Sequence, residues 1–563
     1  MAETSLPHFM LSRSSPQAGA GGQSSALGWW HREGGEVLHG VEAVHNALLT
    51  LHQPVCLVRD GDRYGVTRGG SVRLGIDGVG REDLPVVGYA ARLMPQQLGD
   101  PGFCGDHGVD YAYMAGAMAN GIASPELVES LSRAGLLSSY GAAGKSIEEI
   151  DRAIERISSR LAGRPYCFNL IHSPAEPLHE ARTVELYLHR GIRVIEASAY
   201  LDLTLPVVRY RVTGLYQDPE GRVVAPNRII AKASRVEVAR KWLSPPPPKM
   251  LAALVDAGEI SQDQAALAAH IPMAQDLTAE ADSGGHTDNR PAVTLIPTFL
   301  ALRNRLQAEH GYADSLRIGA AGGIGTPNAA AAAFAMGAAY IATGTVNQAC
   351  IESGSSDLVR RMLAESEQAD VIMAPAADMF EMGVKLQVLK RGTLFPMRAS
   401  KLYELYSEYD SLDDIPANVR DNLERTVFRA SIADIWSRTR EFFSARDPTQ
   451  VARAETDPRH KMALVFRWYL GHSSRWANDG DASRQADYQV WCGPAMGAFN
   501  EWVRGSFLES PENRKVVTIA HNVLFGAAVL TRINVIRSQG THLDADWVRV
   551  APLTPEILEG YLN

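Results

Sequence analysis

Short apolar segments alternate with longer amphipathic segments through the middle of the chain. The apolar segments predict buried strands, and the periodic segments predict helices that begin at Ser, Thr or Pro and end at Gly. Regular alternation of this kind predicts a parallel sheet in which a helix follows each strand. The predicted strands of this series are 84–93, 136–141, 166–170, 194–197, 228–232, 273–280, 317–321 and 340–343. We therefore expect a (β/α)8 TIM barrel.

The last two predicted strands are each followed by a glycine-marked turn. Gly322 and Gly323 follow the first of them, and Gly344 and Thr345 follow the second. Consecutive strand–glycine–helix units resemble the end of a (β/α)8 barrel, where loops after the strands commonly hold a phosphate with backbone N–H groups. Two turns of an ordinary α/β protein are the alternative.

The segments outside the barrel have different patterns. Residues 1–27 contain few large apolar groups and predict a disordered leader, and residues 28–83 predict a small β-rich subdomain. The barrel is expected over 84–353, with a helical insert at about 244–272 that begins at a run of prolines. Residues 354–563 are dominated by helical patterns, which predicts an α-helical subdomain for substrate or partner binding.

Tryptophans are dense in this last region. Trp468, Trp476, Trp491 and Trp502 lie close together in sequence. Such residues are more often helix-packing core than a platform for a ligand. We expect them to pack between helices.

Composition narrows the class of protein. The net charge of −9 argues against nucleic acid and against an anionic membrane surface as partners. The first residues lack a signal-peptide pattern, and the apolar run 329–342 is too short to span a bilayer, so a cytoplasmic protein is expected. The five cysteines are scattered and form no CxxC pair, which argues against a disulfide framework and predicts no metal site.

Polar or small residues mark four further strand ends. The stretch 116–121 is small enough for backbone to approach a flat ligand, and Asn169 can both donate and accept at its end of a strand. Lys232 ends another strand, and Gly284 and Gly285 lead to His286 after a fourth. Chemistry in TIM barrels occurs at these ends, so we expect the residues to share one site.

The order of these signals resembles the FMN-dependent nitronate monooxygenase and enoyl reductase superfamily. The series is a small-residue turn, FNL, a lysine, GGH, AAGGI and GT. Beyond the barrel, several phrases are similar to the PfaD-type trans-acting enoyl reductases of polyketide and polyunsaturated fatty acid synthases. They are APAADMFEMGVKLQVLKRGTLFPMRASKLYELY, KMALVFRWYLG, SSRWAN and DYQVWCGPAMGAFNEW. One departure is the approach to GGH, which reads Glu280-Ala281-Asp282-Ser283.

The resemblance implies FMN as cofactor. Gly322, Gly323, Gly344 and Thr345 would hold its phosphate, and Lys232 would lie near N1 and C2=O, with a surface lysine as the alternative. The cofactor-binding residues implied are Ala117, Met118, Ala119, Asn169, Lys232, Gly284, Gly285, Ala321, Gly322, Gly323, Gly344 and Thr345.

His286 is the residue expected to be catalytic. An imidazole at a barrel mouth can protonate the α-carbon or orient a thioester, because its ordinary pKa near 6.5 allows both protonation states. A structural or flavin-contacting histidine is the alternative. The resemblance implies that NADPH supplies hydride through FMN to the β-carbon of an α,β-unsaturated acyl thioester.

An acyl carrier protein is the expected bearer of that thioester. A basic patch without intervening acids could meet an acidic carrier protein, and a solvated helical face is the alternative; the patch comprises Lys385, Lys390, Arg391, Arg398 and Lys401. A homodimer is compatible with the sequence. The rival functions are a nitronate monooxygenase, a catalytically silent scaffold that recruits carrier proteins, and a phosphosugar isomerase, which gives no reason for Asn169, Lys232 and Gly-Gly-His together.

Overall fold

The computed structural model of the protein describes residues 26–75, 80, 82–174 and 176–562. The expected leader therefore lies almost entirely outside the described residues. The described residues form two compact units. One contains those within 26–49, 53–92 and 532–548, and the other those within 50–52, 93–531 and 549–562.

The strands of the described part of the chain are short. In chain order they are β1 Gly28–His31, β2 Glu36–His39, β3 Val55–Asp60, β4 Arg63–Arg68, β5 Ser71–Leu74, β6 Leu84–Ala90, β7 Tyr113–Ala115, β8 Leu137–Tyr140, β9 Cys167–Ile171, β10 Val194–Ser198, β11 Tyr216–Gln217, β12 Val223–Val224, β13 Arg228–Ala233, β14 Asp276–Glu280, β15 Gly285–His286, β16 Arg317–Ala321, β17 Ile341–Thr343, β18 Val371–Pro375 and β19 Lys385–Leu389.

The helices follow the strands in the barrel and dominate after it. In chain order they are α1 Val41–Leu49, α2 Pro101–His107, α3 Pro125–Arg133, α4 Ile147–Arg160, α5 Pro177–His189, α6 Leu205–Val212, α7 Val236–Leu243, α8 Pro248–Asp256, α9 Gln262–Ala268, α10 Ala292–His310, α11 Pro327–Ala335, α12 Thr345–Gln348, α13 Asp357–Ala364, α14 Phe395–Glu408, α15 Ala417–Asn422, α16 Ile432–Arg446, α17 Pro448–Thr456, α18 Pro458–Asp479, α19 Ala495–Val503, α20 Val516–Ser538 and α21 Pro555–Leu562.

The smaller unit is built on an antiparallel sheet in the order β2-β4-β3-β6-β1-β5. Trp30 is buried between these strands with Cys56, Val58 and Val86, and its indole Nε1 donates to the Gly69 carbonyl at 2.9 Å. The strand expected to open the barrel, at 84–93, is found here as β6, paired antiparallel with β1 and β3. A buried apolar strand has the same pattern in either sheet, which explains the difference.

The larger unit contains a closed parallel barrel. Its strands are β7, β8, β9, β10, β13, β14, β16 and β17, and β17 pairs with β7 to close it. This confirms the predicted TIM barrel. The residues of β16 are all buried, since helices cover the outside and side chains fill the inside. Capping residues fix where the barrel helices begin. At the start of α4, the Ser146 side chain accepts from the Glu149 N–H, and the Glu149 side chain accepts from the Ser146 N–H.

The region after the barrel is mainly helical, and it also contains strands that the sequence patterns did not predict. β19 pairs antiparallel with both β18 and β15. The short strand β15 contains the last two residues of the Gly-Gly-His motif, so the later region is hydrogen-bonded to the predicted site. An aromatic and aliphatic core, including Phe380, Phe395, Phe428 and Phe466, holds the helices over this sheet.

One described helix, α20, is long and apolar enough to cross a membrane. In its most apolar 18-residue window, 83% of the residues are buried inside the protein, as in a core helix. All five cysteines are free thiols, and Cys104 alone among them is partly exposed.

Candidate functional site

A cavity of about 740 Å³ lies at the carboxyl ends of the barrel strands. Its volume is within the range of ligand and cofactor sites. The loops after the strands line one side, and α16, α18 and residues 489–495 line the other. Every site residue named from the sequence lines this cavity: Ala117, Met118, Ala119, Asn169, Lys232, Gly284, Gly285, His286, Ala321, Gly322, Gly323, Gly344 and Thr345.

The two glycine turns form an open cradle in the barrel wall. Gly322 has φ +85°, and a Cβ there would lie 2.6 Å from the Ala281 carbonyl carbon, so the turn requires glycine. No described atom lies within 4 Å of the Cβ positions of Gly323 and Gly344. Among the described residues, the N–H groups of Gly322, Gly323 and Gly344 have no protein acceptor. Unpaired N–H groups around open space suit a phosphate.

Thr345 joins the cradle to the later region of the chain. Its Oγ1 accepts from the Gly493 N–H at 3.2 Å, which leaves the hydroxyl proton available for a ligand. Gly493 also lies against Gly284, since a Cβ on Gly493 would be 2.7 Å from the Gly284 nitrogen. The segment around Gly493 therefore completes one edge of the cavity.

Lys232 is held between two carboxylates. Its Nζ lies 3.0 Å from Glu280 Oε1 and 3.7 Å from Glu196 Oε1, and 17% of its side chain is exposed. Burial lowers the pKa of Lys232, but the charges and hydrogen bonds of Glu280 and Glu196 outweigh burial and raise it. The lysine is thus a buried, permanently charged group and not a surface side chain.

Glu196 is a member of the site that sequence patterns missed. It lies in β10, is 1% exposed, and its Oε2 accepts from the Ala117 N–H at 2.6 Å. It therefore connects the small-residue turn to Lys232. A charged residue inside an apolar strand was the signal that could have found it, because such a residue is rarely buried without a partner.

Asn169 is buried, and its amide protons have partners. Its Nδ2 donates to the Glu196 carbonyl at 3.1 Å and to Ser198 Oγ at 2.8 Å. Both amide protons of Asn169 are therefore used within the protein, and the side chain cannot also donate to a ligand as expected. Its Oδ1 can still accept a hydrogen bond from a ligand.

His286 is paired with an acid from the later region. Its Nε2 donates to Asp378 Oδ1 at 3.0 Å, and roughly a third of each side chain is exposed. Burial lowers the pKa of His286, but the charge of Asp378 and its hydrogen bond prevail and raise it. Asp378 lies 92 positions further along the chain, within the phrase APAADMFEMG, and sequence reasoning assigned it no role.

Aromatic residues form much of the helical wall of the cavity. Trp468, Trp476 and Trp491 line the cavity, whereas Trp502 does not, and its indole Nε1 donates to the Val550 carbonyl at 2.9 Å. His472 stacks on Trp468 with ring centroids 4.4 Å apart. Trp468, Trp476 and Trp491 pack against the helical core as expected, and they also present surface to the cavity.

The basic residues of 385–401 do not form one unpaired surface. Arg391 pairs with Asp370 at 3.2 Å, and Arg398 pairs with the buried Asp487. Lys401 lies 3.2 Å from Glu404 on the same helix. Lys385 and Lys390 are exposed. Acids outside the segment 385–401 thus supply the partners of Arg391, Arg398 and Lys401.

Comparisons with known proteins agree with this fold. The family model for nitronate monooxygenase matches residues 106–430, and the model for the inserted helical domain of [acyl-carrier-protein] S-malonyltransferase matches residues 409–488. The enoyl reductase domain of MlnA, from the macrolactin biosynthesis cluster of Bacillus amyloliquefaciens, is 40% identical with a TM-score of 0.74. That match covers 79% of this chain and 99% of that one.

Two longer relatives are also similar. One component of the polyunsaturated fatty acid synthase of Thraustochytrium sp. is 48% identical over 80% of this chain and 31% of its own length. Polyketide biosynthesis protein PksE of Bacillus subtilis is 44% identical over 78% of this chain and 57% of its own. The chain thus spans less than two thirds of either relative. It belongs to the PfaD-type enoyl reductases of polyketide and polyunsaturated fatty acid synthases, within the nitronate monooxygenase and enoyl reductase superfamily.

Proposed function

We propose that this protein is a trans-acting, cytoplasmic enoyl reductase that uses FMN and NADPH to reduce α,β-unsaturated acyl thioesters on an acyl carrier protein. The observation that carries the proposal is the cavity itself. It combines an open glycine cradle, a buried lysine and a histidine–aspartate pair under an aromatic wall. The 40% identity to the MlnA enoyl reductase domain supports the same conclusion.

FMN fits the residues present. The unpaired N–H groups of Gly322, Gly323 and Gly344 and the hydroxyl of Thr345 would hold its phosphate dianion. The turn 117–119 and the Oδ1 of Asn169 would contact the ring system. When bound, FMN supplies hydride transfer from NADPH to the β-carbon of the enoyl thioester.

Lys232 contributes a fixed positive charge on the barrel side of the cavity. Because Glu280 and Glu196 keep it protonated, its charge does not change over the working pH range. A permanent charge in a partly dehydrated cavity acts more strongly than the same charge in water. Lys232 is therefore suited to stabilise negative charge that develops nearby during reduction.

His286 supplies the proton that reduction of an enoyl thioester requires at its α-carbon. Asp378 holds Nε2 and favours the imidazolium, so Nδ1 is the nitrogen that can donate to the substrate. Asp378 thereby orients the ring and keeps it charged, which makes it a positioning residue.

The helical wall would receive the acyl arm. Trp468, Trp476 and Trp491 offer apolar surface next to the cradle, as an acyl chain requires. The relatives named as synthase components support a carrier protein as the bearer of the thioester. The exposed Lys385 and Lys390 remain candidates for contact with an acidic carrier protein.

An anaerobic spectrum followed by mass analysis tests the proposal. The purified protein should show flavin absorbance that NADPH bleaches, and a crotonyl carrier protein should then become butyryl. An unchanged crotonyl group after full flavin bleaching would refute enoyl reduction. Oxygen consumption with a nitroalkane in the absence of NADPH would instead favour the nitronate monooxygenase.

A further inference from the structure

The helical wall of the cavity contains three arginines that lack a hydrogen-bond or ion-pair partner among the described residues. Arg438 lies on α16, and Arg467 and Arg475 lie on α18; all three line the cavity. Among the described residues, none of the three guanidinium groups makes a hydrogen bond or ion pair. Other arginines of the same wall differ, since Arg446 pairs with Glu176 at 2.6 Å and Arg484 pairs with Asp487 at 3.2 Å.

The acids that line the cavity are already engaged elsewhere. Glu196 and Glu280 bind Lys232, and Asp378 binds His286. Glu180 accepts from the Tyr200 hydroxyl at 3.0 Å. Asp282 accepts from the Gln387 amide at 2.8 Å. None of these carboxylates therefore forms an ion pair with Arg438, Arg467 or Arg475.

Arg467 is the most desolvated of the three. Burial lowers its pKa, and the carboxylates of Glu176, Glu381 and Asp378 oppose this only from a distance. Its guanidinium carbon lies 5.9 Å from the centre of the Phe443 ring. A guanidinium that has lost water and gained no partner costs free energy, and a bound anion would recover that cost.

Arg438 and Arg475 act on the same part of the wall. Burial lowers the pKa of His472, the Trp468 carbonyl opposes this, and the charges of Arg475, Arg438 and Arg484 lower it further. The charges of these arginines therefore act on His472, which lines the same cavity. A planar guanidinium binds phosphate oxygens with two parallel hydrogen bonds.

We propose that Arg467, assisted by Arg438 and Arg475, binds a phosphate group of a ligand other than FMN. The glycine cradle on the barrel side would serve the FMN phosphate, and the arginine wall would serve a second phosphate. The choice of ligands to test rests on the proposed function, which offers two sources of this second phosphate group. They are the 2′-phosphate of a nicotinamide dinucleotide and the phosphate of a phosphopantetheine arm.

Equilibrium binding to the purified holoenzyme separates these sources without turnover. One pair of probes is NADP⁺ and NAD⁺, which differ by the 2′-phosphate, and the other is 4′-phosphopantetheine and pantetheine. We expect the phosphorylated member of one pair to bind about tenfold or more tightly, as a charge-assisted hydrogen bond to a buried guanidinium allows. Arg467→Gln should remove this preference and leave binding of the unphosphorylated member unchanged.

Two further variants distinguish a loss of phosphate binding from a folding defect. Arg438→Gln changes an exposed residue and should reduce the preference by about threefold, as expected for a more hydrated charge. Arg440→Gln removes an equal charge from α16 away from the cavity and should keep the full preference. Equal binding of both members in both pairs by the wild type, or an intact preference in Arg467→Gln, would overturn the proposal. Failure to reduce an enoyl thioester would refute the proposed function and leave this result standing.

Discussion

The two ends of the barrel use charged residues in opposite ways. At the amino ends of the strands, Asp276 and Arg317 are buried and face each other at 2.6 Å. His107 binds the same aspartate at 2.9 Å, and Arg317 also reaches Asp106 at 2.7 Å. At the carboxyl ends, N–H groups of the glycine turns and three guanidinium groups of the helical wall have no hydrogen-bond or ion-pair partner among the described residues.

The amino ends of the strands therefore contribute to stability, and the carboxyl ends are left open for ligand binding. Burial raises the pKa of Asp276, but His107 and Arg317 hold it well below its usual range, so the aspartate stays ionised. Asp276 and Arg317 are paired with each other within the protein and are almost fully buried. The carboxyl end instead keeps unmatched donors beside an open cavity, which fits the rule that barrel chemistry occurs at that end.

Breaking the amino-end cluster should have the largest effect on folding. Asp276→Ala removes the buried carboxylate that both Arg317 and His107 bind, so we expect a loss of about 3 to 5 kcal/mol in the free energy of unfolding. Chemical denaturation followed by fluorescence measures it. Asp413→Ala removes an exposed partner of Arg420 and should cost about 1 kcal/mol or less. Equal losses in the two variants would contradict the comparison.

Removing His286, the proposed proton donor, should have the largest effect on rate. His286→Gln should lower kcat for enoyl reduction by about 100-fold, since general acids contribute at least this much. The flavin content of the purified variant should be unchanged. An unaltered kcat would show that His286 only supports the structure or the cofactor.

Filling the cradle should weaken cofactor binding without unfolding the protein. Gly344→Val places a side chain into space where no described atom lies within 4 Å of the Cβ. The valine side chain would displace the FMN phosphate from the N–H groups of the cradle. Since a hydrogen bond to a charged group is worth about 1.5 to 3 kcal/mol, we expect FMN to bind about tenfold more weakly or worse. Flavin absorbance per protein measures this. Gly105→Val is the control, since its Cβ position is open but lies outside the cavity; full flavin content in both would contradict the cradle.

The smallest expected effect concerns the pH profile. The charge of Asp378 raises the pKa of His286, so Asp378→Asn should lower that pKa. If the His286 imidazolium donates the proton as proposed, activity is retained below the pKa and is lost as the pH rises through it. The alkaline limb of kcat should therefore move to lower pH in the variant. A change in kcat at every pH without movement of the limb would assign Asp378 a purely structural role.

Sequence patterns predicted the barrel because its strands are buried on both faces and its helices carry caps. The glycine turns were predictable because Gly322 requires a positive φ next to Ala281. Tyr113–Ala115 was missed because three residues are too few for a periodic signal. Strand β19 was missed because its pairing with His286 joins positions about a hundred residues apart.

The same limit applies to the site. Lys232 and His286 follow predicted strands, but Glu280, Glu196 and Asp378 become their partners only through the closed barrel and the later sheet. The arginine wall could not be predicted either, since an unpaired charge is recognised only when every possible partner is located. The local sequence shows which charged residues are present, and the tertiary structure determines which of them are paired.

A single-turnover experiment tests the central claim that the carboxyl end of the barrel carries out enoyl reduction. Holoenzyme reduced anaerobically with one equivalent of NADPH is mixed with a crotonyl carrier protein, and flavin absorbance is followed. We predict that oxidised flavin absorbance returns as butyryl carrier protein forms in equal amount. Flavin that stays reduced until oxygen is admitted would contradict the assignment.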